Sequence, residues 1–226
     1  MINSIKSRKI PEPLSNDKYS KNEEIMHALS HAFGIILGVI GTTLLISFAV
    51  LTNRESHIFS YIIYGLSFIL MFTASTVYHS FPNSKKNKTF KIIDHISIYI
   101  FIAGTYTPFV LIHLKTQASY LILLFVWVGV LLGSISKIFY TGKQKFLSTV
   151  IYIIMGWLII IDGKSVSNLI DEKALFYLFL GGVSYTVGAF FYLYKKISYN
   201  HLIWHMFVLV ASIFHFFAVF FSTKWF

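Results

Sequence analysis

Cysteine is absent from all 226 residues, which excludes disulfides and thiolate metal ligands alike and leaves the redox compartment unread. Charge is also scarce. Only 12% of residues are Asp, Glu, Lys or Arg, against 56% apolar and 18% aromatic, whereas a soluble globular chain carries about 25% charged residues. Long stretches of strict apolar–polar alternation are missing, which argues against transmembrane strands. Acidic residues are outnumbered 9 to 19 by basic ones, but the lysines are dispersed in short segments between apolar runs. No basic groove with interleaved aromatics appears in a soluble stretch, so the net charge of +10 does not point to nucleic acid. The first thirty residues are polar, contain Pro11 and Pro13, and lack the apolar core of a signal peptide. Residues 1–26 are expected to form a polar cytoplasmic tail ahead of a transmembrane domain over 27–226.

What the chain does contain is seven apolar runs: His31–Leu51, Ile58–His79, Ile92–Leu114, Ala118–Ser136, Phe146–Ile161, Ala174–Tyr194 and Leu202–Ser222. Most match the roughly 20 residues that cross a bilayer as a helix. The fifth is short and is expected to borrow Gln144, Lys145 and Asp162 by snorkelling. The fold class is therefore an all-α integral membrane protein with seven transmembrane helices. Orientation follows from the basic residues. Lys6, Arg8, Lys9, Lys18, Lys21, Lys85, Lys86, Lys88, Lys91, Lys137, Lys143, Lys145, Lys195 and Lys196 fall on one side; Arg54, Lys115, Lys164, Lys173 and Lys224 fall on the other. The positive-inside rule makes the N-terminus cytoplasmic and the C-terminus external. The preference for lysine over arginine hints at an AT-rich bacterial genome, and the expected location is a bacterial plasma membrane. Glycines four apart, such as Gly34 and Gly38 or Gly129 and Gly133, allow close helix packing. Pro108 is expected to kink or interrupt the third span by removing one backbone hydrogen bond.

Placing the intramembrane polar residues by depth brings several of them to one level. His201 and His205 open the last span four residues apart, on one helical face, a spacing that suits two imidazoles on one metal ion. His79 ends the second span and Asp94 sits in the first turn of the third, both on the lysine-rich side. Ser75 lies one turn before His79. Three neutral imidazoles with an open fourth position describe a catalytic-type zinc site, able to activate water near neutral pH. Asp94 would then serve as base or fourth ligand, and Ser75 as a supporting donor. The simpler alternatives are an Asp94–Lys91 ion pair or a helix N-terminal carboxylate, and an interfacial His79 bonded to the adjoining loop. His31 lies near Glu23 and Glu24 and either joins this site or caps its own helix. His95 points about 100° away from Asp94 and is left out. His215 is expected to hydrogen-bond a neighbouring helix from inside the bundle, and His57 and His113 to be loop residues at the opposite surface.

These residues carry a family resemblance. Ser75-Thr-Val-Tyr-His79, Asp94-His95-Ile-Ser-Ile-Tyr-Ile-Phe-Ile-Ala-Gly-Thr-Tyr-Thr-Pro108 and His201-Leu-Ile-Trp-His205 resemble the hemolysin III branch of the progestin and adipoQ receptor family. The stretch from Glu23-Glu24 through Ser30-His31 to Gly34 resembles its first motif, with His27 standing where asparagine is usual. The resemblance runs from about Asn22 to the C-terminus. It implies seven helices, a zinc ion bound by His79, His201 and His205, Asp94 contacting the zinc-bound water, and Ser75 beside it. It also implies distant kinship to membrane hydrolases of lipid amides, with membrane lipids as partners and a possible lipid substrate inside the bundle. Three functions compete: a zinc-dependent intramembrane hydrolase of lipid amides or esters, a channel-type hemolysin causing cytolysis, and a receptor or sensor with structural zinc. A pore would want polar residues along whole helix faces. Here they collect at one end, which favours a resident zinc protein.

Overall fold

The computed structural model describes residues 19–225. Lys6, Arg8, Lys9, Lys18, Pro11 and Pro13 of the expected tail lie outside the described residues. Every regular element is helical, and no strand occurs among the described residues. The elements are α1 (Lys21–Leu51), α2 (Ile58–Ser80), α3 (Asn87–Pro108), α4 (Gln117–Tyr140), α5 (Lys145–Trp157), α6 (Gly163–Leu169), α7 (Glu172–Leu193) and α8 (Asn200–Ser222). Among the described residues, seven segments are long and apolar enough to cross a membrane. Their outward faces carry residues such as Phe33, Ile36, Phe125, Leu131 and Phe179, each more than half exposed. Such faces are stable against acyl chains and not against water. The protein is a multi-pass membrane protein.

The seven spans do not form one simple ring. Going round the bundle, α1 packs on α2, α2 on α3, α3 on α5, α5 on α7, α7 on α8, and α8 back on α1. The fourth span, α4, packs on α3 from outside. It buries a single stripe of Ser119, Ile122, Val126, Val130, Gly133 and Lys137, spaced three and four residues apart. Glycine makes the closest of these contacts possible. A Cβ on Gly38 would lie 2.7 Å from Phe68 and 3.0 Å from Ile69, and one on Gly34 would overlap the Phe72 ring. Small residues let α1 lie directly on α2 where apolar burial supplies no drive in lipid.

Three features depart from the hydropathy reading. The first helix begins at Lys21, well ahead of its apolar run, because Ser20 and Glu23 form a reciprocal capping box. The fifth span does not stop at Ile161. It runs from Lys145 to Leu169 through a 3-10 turn over Leu158–Asp162 and then α6. Asp162 is buried rather than snorkelled, accepting a hydrogen bond of 2.7 Å from the Thr116 hydroxyl. Lys137, counted above as a loop lysine, occupies the last turn of α4 on its buried stripe and is 5% exposed. Pro108 behaves as its missing N–H dictates, since the helix widens into π turns over Phe109–Leu114.

Replacing Gly38→Val drives a branched side chain into Phe68 and Ile69 and should cost about 1–3 kcal/mol. A lowered midpoint of thermal unfolding in detergent checks this, and an unchanged midpoint contradicts the close α1–α2 contact.

Candidate metal centre

The capping box at Ser20 sets the phase of α1. Glu24, His27 and His31 follow three and four residues apart on the face that continues through Gly34, Gly38 and Gly41. Because the glycines hold that face against α2, Glu24 reaches His79 near the C-terminal end of α2. Its Oε2 accepts a hydrogen bond of 2.6 Å from His79 Nδ1. At the start of α8, the Asn200 side chain donates to the Phe191 carbonyl of α7, fixing the first turn that carries His201 and His205.

Four imidazoles meet here. His79 Nε2 lies 3.3 Å from His201 Nε2, and His201 Nε2 lies 3.1 Å from His205 Nε2. One ligand nitrogen from each of His27, His79 and His201 lies within 4.8 Å of the other two. His27, His79 and His205 are all essentially buried. His31 adds a fifth ring, stacked on His205 at 3.8 Å between centroids.

The tautomers follow from the partners. Glu24 is an acceptor, so the His79 proton is on Nδ1 and its Nε2 lone pair faces the cluster. The Ser30 hydroxyl spends its proton on the His27 carbonyl at 2.8 Å, so at 3.4 Å from His205 Nδ1 it serves as acceptor. The His205 Nε2 lone pair is then also inward. His201 Nε2 faces both. As N–H it satisfies one lone pair; unprotonated it repels both. A cation satisfies all three. With Zn–N bonds of about 2.0–2.1 Å, tetrahedral donors lie about 3.3–3.4 Å apart, close to the two spacings found. The buried nitrogens of His27 and His31 and the Nδ1 of His201 have no hydrogen-bond partner among the described residues. The donor set thus fits zinc, with Glu24–His79 as a carboxylate–imidazole support of the kind that orients zinc ligands.

Beside the imidazoles lies a cavity of about 370 Å³ lined by His201, His205, Asp94 and Ser75 and extending to His215. Ser75 is buried, and it lines the cavity together with Asp94. Lys91 and Lys137 line the same cavity. His95 lines the same cavity in spite of its expected displacement from Asp94. His215 packs over Gly181 and edge-on to Tyr185 of α7, and neither ring nitrogen finds a described partner.

This arrangement accompanies a sequence match over most of the chain. A family model described as "Haemolysin-III related" matches residues 19–216. The chain belongs to the haemolysin III family. It is 41% identical over 203 residues to "Hemolysin-3 homolog" of Bacillus subtilis, covering 90% of this chain and 95% of the relative. It is also 41% identical over 199 residues to "Hemolysin-3" of Bacillus cereus, covering 88% and 91%. The human "Monocyte to macrophage differentiation factor" is 29% identical over 214 residues, covering 91% of this chain and 87% of that protein.

Within this haemolysin III protein His201 stands close to both His79 and His205, while the three imidazoles in mutual ligand range are His27, His79 and His201. Ser75 and Asp94 stand on the adjoining cavity wall rather than within the ring of nitrogens. Two participants escaped the sequence reading. Glu24 was noted only as a motif residue and a neighbour of His31; its phase with His27 and His31 is the signal that places it on the buried face. His27 stands where asparagine is usual, and the same phase places it on that face.

Glu24→Gln keeps the shape and loses the charge, and should weaken zinc affinity about 10–100-fold. Glu23→Gln, which touches only the helix cap, should leave it unchanged. Chelator competition on the two purified variants reads the difference, and equal affinities would remove Glu24 from the site.

Proposed function

We propose that the protein is a zinc-binding membrane protein that hydrolyses a lipid amide or ester at the lysine-rich end of the bundle, within the inner-leaflet boundary. The observation that carries this reading is the meeting of the His79, His201 and His205 Nε2 atoms beside an apolar cavity whose wall also holds a carboxylate and a hydroxyl. Zinc at that point supplies Lewis acidity and activates water near neutral pH. The chain's own groups supply the rest. Asp94 takes the proton from the attacking water and returns it to the leaving amine or alcohol as the carbonyl–nitrogen or carbonyl–oxygen bond breaks. Ser75, on the same cavity wall, orients that carboxylate. Glu24 holds the His79 ring in the tautomer that presents Nε2. The cavity lining of Met71, Phe101, Ile102 and Val208 keeps the acyl chain out of water.

One observation favours a second reading. His27 is completely buried, hydrogen-bonds through neither nitrogen although its Nδ1 lies 3.9 Å from Glu24 Oε2, and stands within ligand range of His79 and His201. As a fourth imidazole it would close the coordination sphere, the pattern of a structural rather than a catalytic zinc. The protein would then be a sensor or receptor with structural metal. The channel reading draws no support from the geometry, since the imidazole cluster and the cavity lysines lie at one end and the far end packs Tyr61, Phe109 and Trp225 into the core.

Metal analysis should find zinc near one per chain in wild type and little in His201→Ala or His205→Ala. Zinc retained in both variants would reject the site. Lipid extracts incubated with wild type and Asp94→Ala separate the two readings: a product made only by wild type supports hydrolysis, and identical lipid profiles support the structural role.

A further inference from the structure

Tyr19 stands between the imidazole cluster and the lysine-rich surface. It lies outside α1, immediately before the Ser20 cap, and the three residues that follow it, Ser20, Lys21 and Asn22, are exposed. Tyr19 itself is half-buried. Its ring stacks on the His201 imidazole, with centroids 5.0 Å apart and planes 15° from parallel, and meets the His27 ring edge-on, also at 5.0 Å. His201 occupies the first turn of α8, where a side chain ordinarily reaches water. Its Nδ1 is nevertheless buried, with no hydrogen-bond partner among the described residues. Two tyrosines lie against it: Tyr19 on its face, and Tyr192 at 5.7 Å between centroids.

These two tyrosines are held in different ways. Tyr192 is the penultimate residue of α7, which packs along α8, and its ring carries the Lys145 ammonium at 3.7 Å. Moving it means disturbing a helix end. Tyr19 belongs to no helix. Torsion at Tyr19 swings its ring away from His201 while the Ser20–Glu23 capping box stays closed and α1 keeps every turn. Single aromatic contacts are weak, and residues at the ends of elements are the ones that absorb hinge motions. Tyr19 has the mechanical character of a shutter, and Tyr192 that of a wall.

We propose that Tyr19 gates the imidazole cluster. Its ring, resting on His201 and His27, keeps water-soluble species out, and its displacement opens the path by which a metal ion enters and leaves from the lysine-rich side. The identity of that ion rests on the zinc reading above; the gate itself rests on the ring geometry. A gate and a support for a ligand leave different signatures. A gate slows entry and exit alike and leaves the equilibrium unchanged, whereas a support for His201 alters exit and affinity together.

Two measurements on the full-length protein in detergent test this. The first needs no metal: zinc-free protein is treated with diethyl pyrocarbonate, and carbethoxylation of His201 is followed by peptide mass spectrometry. Tyr19→Ala removes both ring contacts and should raise the rate at His201 about tenfold. Tyr19→Phe keeps the ring and should react as wild type. His215, packed over Gly181 deep in the bundle, should be equally slow in all three, which shows that the bundle is intact. The second measurement is stopped-flow zinc uptake and release to a chelator. Tyr19→Ala should be about tenfold faster in both directions, with its dissociation constant within about twofold of wild type. Equal His201 modification in wild type and Tyr19→Ala would overturn the gate, as would a wild-type His201 that reacts as fast as free imidazole. A weaker affinity at an unchanged entry rate would make Tyr19 a support for His201 and overturn it as well. Should wild type take up no zinc, the zinc reading fails while the carbethoxylation rates still decide the gate.

Discussion

The hydrogen bond between Glu24 and His79 ties the functional end of the bundle together. At 2.6 Å it joins the first turn of α1 to the last turns of α2, and the Glu24 side chain is only 13% exposed. A carboxylate so placed is stable only if its partner is held, and removing one member of such a pair leaves an uncompensated charge costing several kcal/mol. The bond therefore does two things at once. It sets the tautomer of His79, and it locks the depth at which α1 and α2 lie against each other. The glycine face of α1 makes the approach possible, the capping box at Ser20 sets its phase, and α8 brings His201 and His205 to the same level.

Polarity is divided unevenly along the bundle, with a smaller polar group, Tyr61, Thr223 and His113 and the Thr116–Asp162 pair, at the far end. Imidazoles, Asp94 and the cavity lysines occupy one end. The other is filled by an aromatic and aliphatic core running through Leu45, Tyr61, Tyr64, Phe68, Phe109 and Val219. That division sets the polar groups at a membrane boundary. Charged groups and water meet at the polar end, while a hydrocarbon chain is accommodated in the middle without exposing backbone donors. The position of α4 outside the ring leaves the cavity bounded chiefly by α2, α3, α5, α7 and α8, with Lys137 as its single intrusion from the outer helix.

Much of this was legible in the residues. Hydropathy alone located the seven spans, since in lipid only a helix satisfies its own backbone, and the four-residue spacing of His201 and His205 placed both rings on one face. Depth then put His79 at their level. What hydropathy misjudges is a polar group with a partner. Asp162 looked like the end of a span because its bond to Thr116, 46 positions away, is invisible in a hydropathy window. Lys137 looked like a loop residue because it is charged, although its register with Val126, Val130 and Gly133 marks the buried stripe. Glu24 and His27 were hidden for a related reason: their roles depend on how α1 lies on α2, which one chain read in order does not reveal.

The central claim is that imidazoles from separate spans surround one ion. Zinc K-edge X-ray absorption on the purified wild-type protein tests it most directly. At least three imidazole nitrogens at about 2.0–2.1 Å are expected, with multiple scattering from their rings. A zinc shell made only of oxygen, or protein that carries no zinc after purification in zinc-containing buffer, would contradict it.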